Sequence, residues 1–278
     1  GRSVIAYNMT RPLTNDFQVD FLAIGKLKNP SFHRIIEENG GHVQHVKEVS
    51  SKIKRLRSIY SILQKEKYDI VHINVDDAIE GLFNIILSKL SGAKIVLHAH
   101  TTSSSRGEGF FGRLKMLSAK KIVNFLVDYK MACSLEAADY LYGDTDLSDV
   151  AIIKNGIIIN DFLYNEELRQ NVRENLNIPM EAIVLGTVGR LSYPKNPEFM
   201  VSLIQTLFSK APNFYFIWIG DGEERASIEK KLDEEIKSGR ILLLGKQEQP
   251  AQYLQAMDVF LLPSLYEGFG LPPLEAMA

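Results

Sequence analysis

The chain has 278 residues, a net charge of −2, 24% charged residues and 45% hydrophobic residues. That length exceeds one typical domain, and the composition is that of a globular protein with a sizeable core. The near-neutral balance excludes a molecule built as a whole for nucleic acid, no stretch offers the roughly 20 apolar residues of a membrane-spanning helix, and the single cysteine, Cys133, excludes an intramolecular disulfide and fits a reducing cytoplasm.

Residue 1 enters a helix-like stretch with no strand before it. From there, apolar runs of strand length alternate with segments of helical period. The first half predicts strands over 18–24, 42–46, 70–74, 95–99, 130–133 and 151–153, separated by helices over 31–38, 51–66, 78–90, 110–127 and 135–142. Turn chemistry at Asn155-Gly156 and Asn160-Asp161, then a very polar helix over 166–175 before Ile178-Pro179, predicts a domain boundary near 155–165. The domains expected are 1–163 and 164–278. The second half repeats the rhythm, with strands over 183–188, 214–219, 241–244 and 259–262 and helices over 198–208, 223–237 and 251–256. Ala278 stops inside the first turns of one more helix. Such alternation predicts an α/β fold: two Rossmann-like domains with parallel sheets, helices on both faces, and a central cleft. The expectation at the ends is a piece of a longer chain, lacking an opening strand and a closing tail.

Open α/β sheets bind ligands at the carboxyl ends of their strands, and three loops of the second half follow strands. The first is Gly189-Arg190-Leu191-Ser192-Tyr193-Pro194-Lys195-Asn196. Its glycine permits close backbone approach, and Arg190 and Lys195 offer a planar fork and a point charge to phosphate oxygens; the plain alternative is a solvated basic loop. The second is Gly220-Asp221-Gly222-Glu223, which also reads as a strand-to-helix turn with Asp221 capping the helix. The third runs from Pro263 to Glu275 through Gly268, Phe269, Gly270 and Leu271, and sets Glu267 and Glu275 eight positions apart across a glycine-rich turn that opens into a helix. A helix N-terminus faces anions, and flanking carboxylates suit hydroxyl groups. Phosphate and polyol together point to a sugar nucleotide.

In the first half, His98 and His100 end a strand and share one of its faces. A metal pair there lacks a third ligand nearby, and one structural plus one exposed histidine is the alternative. His72 occupies a similar strand end. Two basic amphipathic stretches, 47–57 and 110–121, have the composition of helices that lie on an anionic bilayer, or of a core-packing face backed by solvated lysines. Cys133 ends an apolar run and reads as core.

Taken together, the Gly189-Arg190-Leu191…Lys195-Asn196 loop, the Gly220-Asp221-Gly222 loop and the Glu267-x₇-Glu275 pair resemble the donor-binding domain of retaining glycosyltransferases of the GT-B fold, family 4. The first half is similar to the polysaccharide-biosynthesis branch of that family through Asp16 to Leu22, Tyr68-Asp69-Ile70-Val71-His72, His98 to Ser103 and Ile153-Lys154-Asn155-Gly156. The resemblance implies a metal-independent hexosyl transfer from a nucleotide-sugar, a UDP-sugar in preference to a GDP-sugar. The acceptor would be a saccharide or a lipid-linked saccharide in capsular or exopolysaccharide assembly. By the same resemblance Arg190 and Lys195 hold the donor diphosphate, Glu275 the ribose hydroxyls and Glu267 the donor sugar, with backbone amides of 269–271 near sugar and phosphate. His100 would be the cleft histidine. No cofactor is expected, and Asp144-Thr145-Asp146 is read as a polar turn. A cytoplasmic protein, peripheral on the inner membrane face, is the expected setting. The alternatives are a nucleotide-sugar-binding module without turnover and a GT-B sugar-nucleotide epimerase.

Overall fold

The computed structural model describes residues 2–13, 16–24, 30–38, 40–46, 51–102, 109–143, 146–210, 213–265, 267 and 270–278. The chain divides into two compact units, Gly1–Gly156 and Ile157–Ala278.

The first unit runs α1 (Arg2–Thr10), β1 (Asp20–Ile24), α2 (Pro30–Glu38), β2 (His42–Val46), α3 (Lys52–Glu66), β3 (Ile70–Val75), α4 (Ala78–Ser91), β4 (Lys94–Ala99), α5 (Gly109–Leu126), β5 (Tyr129–Ala132), α6 (Leu135–Tyr142) and β6 (Val150–Ile152). β1 and β2 form a parallel pair, and β3-β4-β5-β6 a parallel sheet in chain order. The helix starts follow local chemistry. Ser51 caps α3 by accepting from Lys54 N, and Asp77 caps α4 by accepting from Glu80 N at 2.9 Å while Glu80 accepts from Asp76 N at 2.9 Å. α4 ends on Gly92 at φ 91°, a left-handed conformation that glycine adopts at little cost.

The second unit runs α7 (Glu166–Asn175), β7 (Ile183–Val188), α8 (Pro197–Lys210), β8 (Phe214–Ile219), α9 (Arg225–Lys231), α10 (Asp233–Lys237), β9 (Ile241–Gly245), α11 (Pro250–Leu254), β10 (Val259–Phe260) and α12 (Leu271–Met277). Its sheet has the order β10-β7-β8-β9, all parallel. β8 is apolar throughout because both its faces are covered. Phe214, Phe216 and Trp218 join the core with Met200 and Ile204 of α8, while Ile217 and Ile219 pack with Val172 of α7 and Ala256.

Two expectations change. The helix expected over 223–237 is two helices, α9 and α10, which break at Leu232 (φ −110°, ψ 22°), whose side chain is fully buried in the β8 core. The strand expected over 259–262 pairs over two residues, Val259 with Leu185 and Phe260 with Gly186. Leu261 N still donates to Gly186 O at 2.8 Å before the chain turns away.

β10 is held by an arginine beneath it. Arg173 of α7 is fully buried and donates to the carbonyls of Ala256, Met180 and Ala182 and to Asp258 Oδ2 at 2.9 Å. Asp258 also accepts from Val184 N and pairs with Arg169. Burial opposes ionisation of Asp258, but the Val184 N–H, Arg169 and Arg173 outweigh it and hold the carboxyl below its ordinary range.

Candidate functional site

The sheet order of the second unit creates a switch point. The chain leaves β7 on one side for β8 and β9, then returns to β7's other side as β10. The loops at the carboxyl ends of β7 and β10 therefore diverge, and such a divergence opens a crevice where ligands of α/β sheets bind. A small pocket lies there, lined by Thr187, Gly189, Lys195, Trp218, Pro263 and Ser264 among others.

The three loops singled out in the sequence meet at this point, and backbone bonds join them. Leu191 N donates to Asp221 O at 3.2 Å and Glu224 N to Leu191 O at 3.0 Å, tying the loop after β7 to the loop after β8. Leu265 N donates to Pro194 O at 2.8 Å, and Asn196 Nδ2 to Pro263 O at 3.2 Å, tying it to the loop after β10. Asn196 has φ 54°, a left-handed conformation that asparagine tolerates better than most residues. Gly220, at φ 141°, passes so close to the first loop that a Cβ there would stand 1.9 Å from Gly189 O; a Cβ on Gly222 would stand 2.2 Å from Leu191 O. Gly220 and Gly222 thus serve close backbone approach between the two loops. Asp221 does not cap a helix, since α9 starts after Glu224. Its carboxylate accepts from Gly222 N at 2.8 Å and is exposed.

Among the described residues these loops take part in three ion pairs, one of them between Asp221 and Arg225 at 3.9 Å. Lys195 Nζ bonds the carboxylate of Glu267, and Ser264 Oγ donates to the same oxygen at 2.9 Å. Arg190 pairs with Glu223 at 2.9 Å in a solvent-exposed bridge. A Cβ on Gly189 would stand in van der Waals contact with the Lys195 side chain, 3.7 Å from its Cδ. Glu275 lies half-buried on α12, and burial pushes its carboxyl pKa up. Leu271 is buried at the start of that helix, with Gly270 at its N-cap position. Gly268 and Phe269 lie outside the described residues. So Gly189, Arg190, Lys195, Gly220, Asp221, Gly222 and Glu267 come together in one loop cluster, and Glu275 stands on the helix that follows.

His100 belongs to the first unit, just past the end of β4. There His72, His98 and His100 form a row. The His72 and His98 rings stack with centroids 5.5 Å apart, and His98 lies 4.1 Å from His100. His100 Nε2 contacts Asn74 Oδ1 at 2.7 Å. His98 is fully buried, with neither ring nitrogen hydrogen-bonded among the described residues. Burial, and then the neighbouring His100 and His72, lower its pKa to about 3. Among the described residues no group of three or more His, Cys, Asp or Glu is placed to hold a metal ion. Asp144 and Thr145 lie outside the described residues, and Asp146 caps a short turn by accepting from Ser148 N. Cys133 is buried.

Sequence reading gave no role to Asn196, Ser264 or Arg173. Asn196 carried a signal, an αL-tolerant residue directly after a Tyr-Pro-Lys turn. The other two are partnered only through the fold.

Residues 168–278 match the family model of glycosyl transferases group 1. The O-antigen biosynthesis glycosyltransferase WclY of Escherichia coli is 26% identical over 280 residues, covering 99% of this chain and 73% of WclY. The UDP-Gal:alpha-D-GlcNAc-diphosphoundecaprenol alpha-1,3-galactosyltransferase of Escherichia coli is 28% identical over 242 residues, covering 81% of this chain and 59% of that enzyme. Among solved structures, Anabaena Alr3699/HepE in complex with UDP-glucose has a TM-score of 0.78 at 18% identity, covering 100% of this chain and 74% of HepE.

Proposed function

We propose that this chain is a glycosyltransferase of the GT-B fold that moves a sugar from a UDP-sugar to a saccharide or lipid-linked acceptor in cell-surface polysaccharide assembly, with retention and without a metal ion; its α/β fold and the match of residues 168–278 to glycosyl transferases group 1 support this reading. The observation that carries this reading is the convergence of the loops after β7, β8 and β10 at the switch point, with Lys195 and Glu267 paired there. UDP and UDP-glucose complexes of HepE support the choice of donor. The names of WclY and the galactosyltransferase support the choice of acceptor class.

Breaking the bond between sugar and diphosphate leaves negative charge on the departing nucleotide. Two cations aimed at that charge can stabilise it as a metal ion would. Lys195 has three ammonium hydrogens, so it can keep Glu267 and still reach a phosphate oxygen. Arg190 holds Glu223 only at the surface, where such pairs are worth little, and it can turn to the donor at small cost. Glu275 takes the ribose hydroxyls and Glu267 the donor sugar, with Gly270 and Leu271 at the helix N-terminus near the phosphate. His100 serves the sugar or acceptor hydroxyl. The enzyme works in the cytoplasm, peripheral on the inner face of the membrane.

A panel of nucleotide sugars, followed by calorimetric binding and product analysis with polyprenyl-diphosphate saccharides, tests this reading. UDP-sugar consumption dependent on acceptor is expected. Binding without consumption would replace it with a carrier of nucleotide sugars, and an isomeric UDP-sugar formed without acceptor would make it an epimerase.

A further inference from the structure

We propose that the outward face of α5 docks this chain on an anionic lipid bilayer, resting on the glycosyltransferase reading for its purpose alone, since a lipid-linked acceptor resides there. α5 buries Met116, Ala119 and Val123, which share one face at helical spacing, and it packs on α4 and α6. A helix with one such face turns polar residues to water on the other. Here the opposite face carries Phe110, Leu114, Leu117 and Phe125 at three- to eight-residue steps along one stripe, with Phe111 beside it. Phe110 is 79% exposed, Phe111 75% and Phe125 87%. The core-packing alternative read from the sequence is therefore set aside for these side chains.

Charge selects the occupant. α5 has 18 residues with Arg113, Lys115, Lys120 and Lys121 and no Asp or Glu. The cationic surface continues across the helix layer. α4 shows Phe83 beneath Lys52 Nζ, 4.2 Å from the ring centroid, and α3 exposes Lys54, Arg55 and Arg57 around Ile53. Two copies of the chain meeting through this face would set cation against cation. An anionic headgroup layer supplies the opposite charge and an acyl boundary for the phenylalanines. Lysines between apolar residues extend their stems over the apolar surface and keep the ammonium at the headgroups.

Flotation of the 278-residue chain with phosphatidylcholine vesicles, with and without phosphatidylglycerol, tests this. Binding is expected only with the anionic lipid, and it should weaken as salt rises. Lys121→Glu should lower the partition coefficient by at least roughly fivefold, the loss expected for one surface cation. Phe110→Ser, Phe111→Ser and Phe125→Ser together should abolish it while leaving the melting temperature and UDP binding unchanged. Absence of flotation, equal binding to neutral vesicles, or indifference to the phenylalanine substitutions would overturn the proposal. So would a dimer in sedimentation that those substitutions dissolve without any vesicle binding. Flotation that persists in a chain unable to bind UDP would support docking and sink the glycosyltransferase reading instead.

Discussion

Lys195 and Glu267 share one bond, and their separate duties can be told apart by removing each. Glu267→Gln leaves the ammonium in place and takes away its counter-charge. UDP affinity should then stay within about threefold while sugar transfer falls by at least about a hundredfold, a change confined to turnover. Lys195→Ala should instead cost UDP binding roughly 1.5–3 kcal/mol by calorimetry, the range of a charge-assisted bond. Equal loss of UDP affinity in both variants would reduce the pair to a structural clasp. His98 sets a different test, on stability. Its folded-state pKa is about 3 against an ordinary 6.5, so the unfolded chain takes up a proton that the folded chain refuses. The stability that follows is full above pH 6.5 and is lost as pH falls toward 3. Urea titrations should show a slope approaching about 1.4 kcal/mol per pH unit from this one group. A His98→Leu variant should lose that part of the slope, and an unchanged acid limb would refute the assignment.

At the scale of the element, the loops are framed by backbone and anchored from below. Gly220→Ala would force a Cβ into Gly189 O at a φ of 141°. The substitution should lower unfolding free energy by more than about 2 kcal/mol in chemical denaturation and weaken UDP binding through the displaced first loop. Arg173→Leu removes the donor from carbonyls of Ala256, Met180 and Ala182 and leaves Asp258 with Arg169 alone among its cations. Loss of about 3–5 kcal/mol is expected, the cost of breaking a buried, hydrogen-bonded charge. Elements were the most legible scale in the sequence. The strands 42–46, 183–188 and 214–219 and the helices 135–142 and 166–175 match their expected bounds, because their apolar periods and caps are local. The break at Leu232 was not legible. A helical period continues through it, and only the β8 core decides that this leucine turns inward.

For the whole molecule, the alternation of strands and helices sufficed to read two parallel α/β units. The candidate site was legible as a set of loops, since glycines and charges at strand ends are visible one by one. Its pairing was not. That Lys195 meets Glu267 depends on β10 returning beside β7, and strand order is not written in any local pattern. The row of His72, His98 and His100 needed the parallel register of β3 and β4 in the same way. The outward phenylalanines of α5 needed the opposite face to be shown buried.

The loops after β7 and β8 are joined by main-chain bonds at Leu191 and Glu224 and by the bare flanks of Gly220 and Gly222. Their frame thus asks almost nothing of Tyr193 or Glu223, both of which are exposed. Those positions are interchangeable parts mounted on a fixed chassis. A library randomised at these residues should fold as often as the parent does, so donor preference in this protein can be re-engineered without rebuilding the loops that carry it.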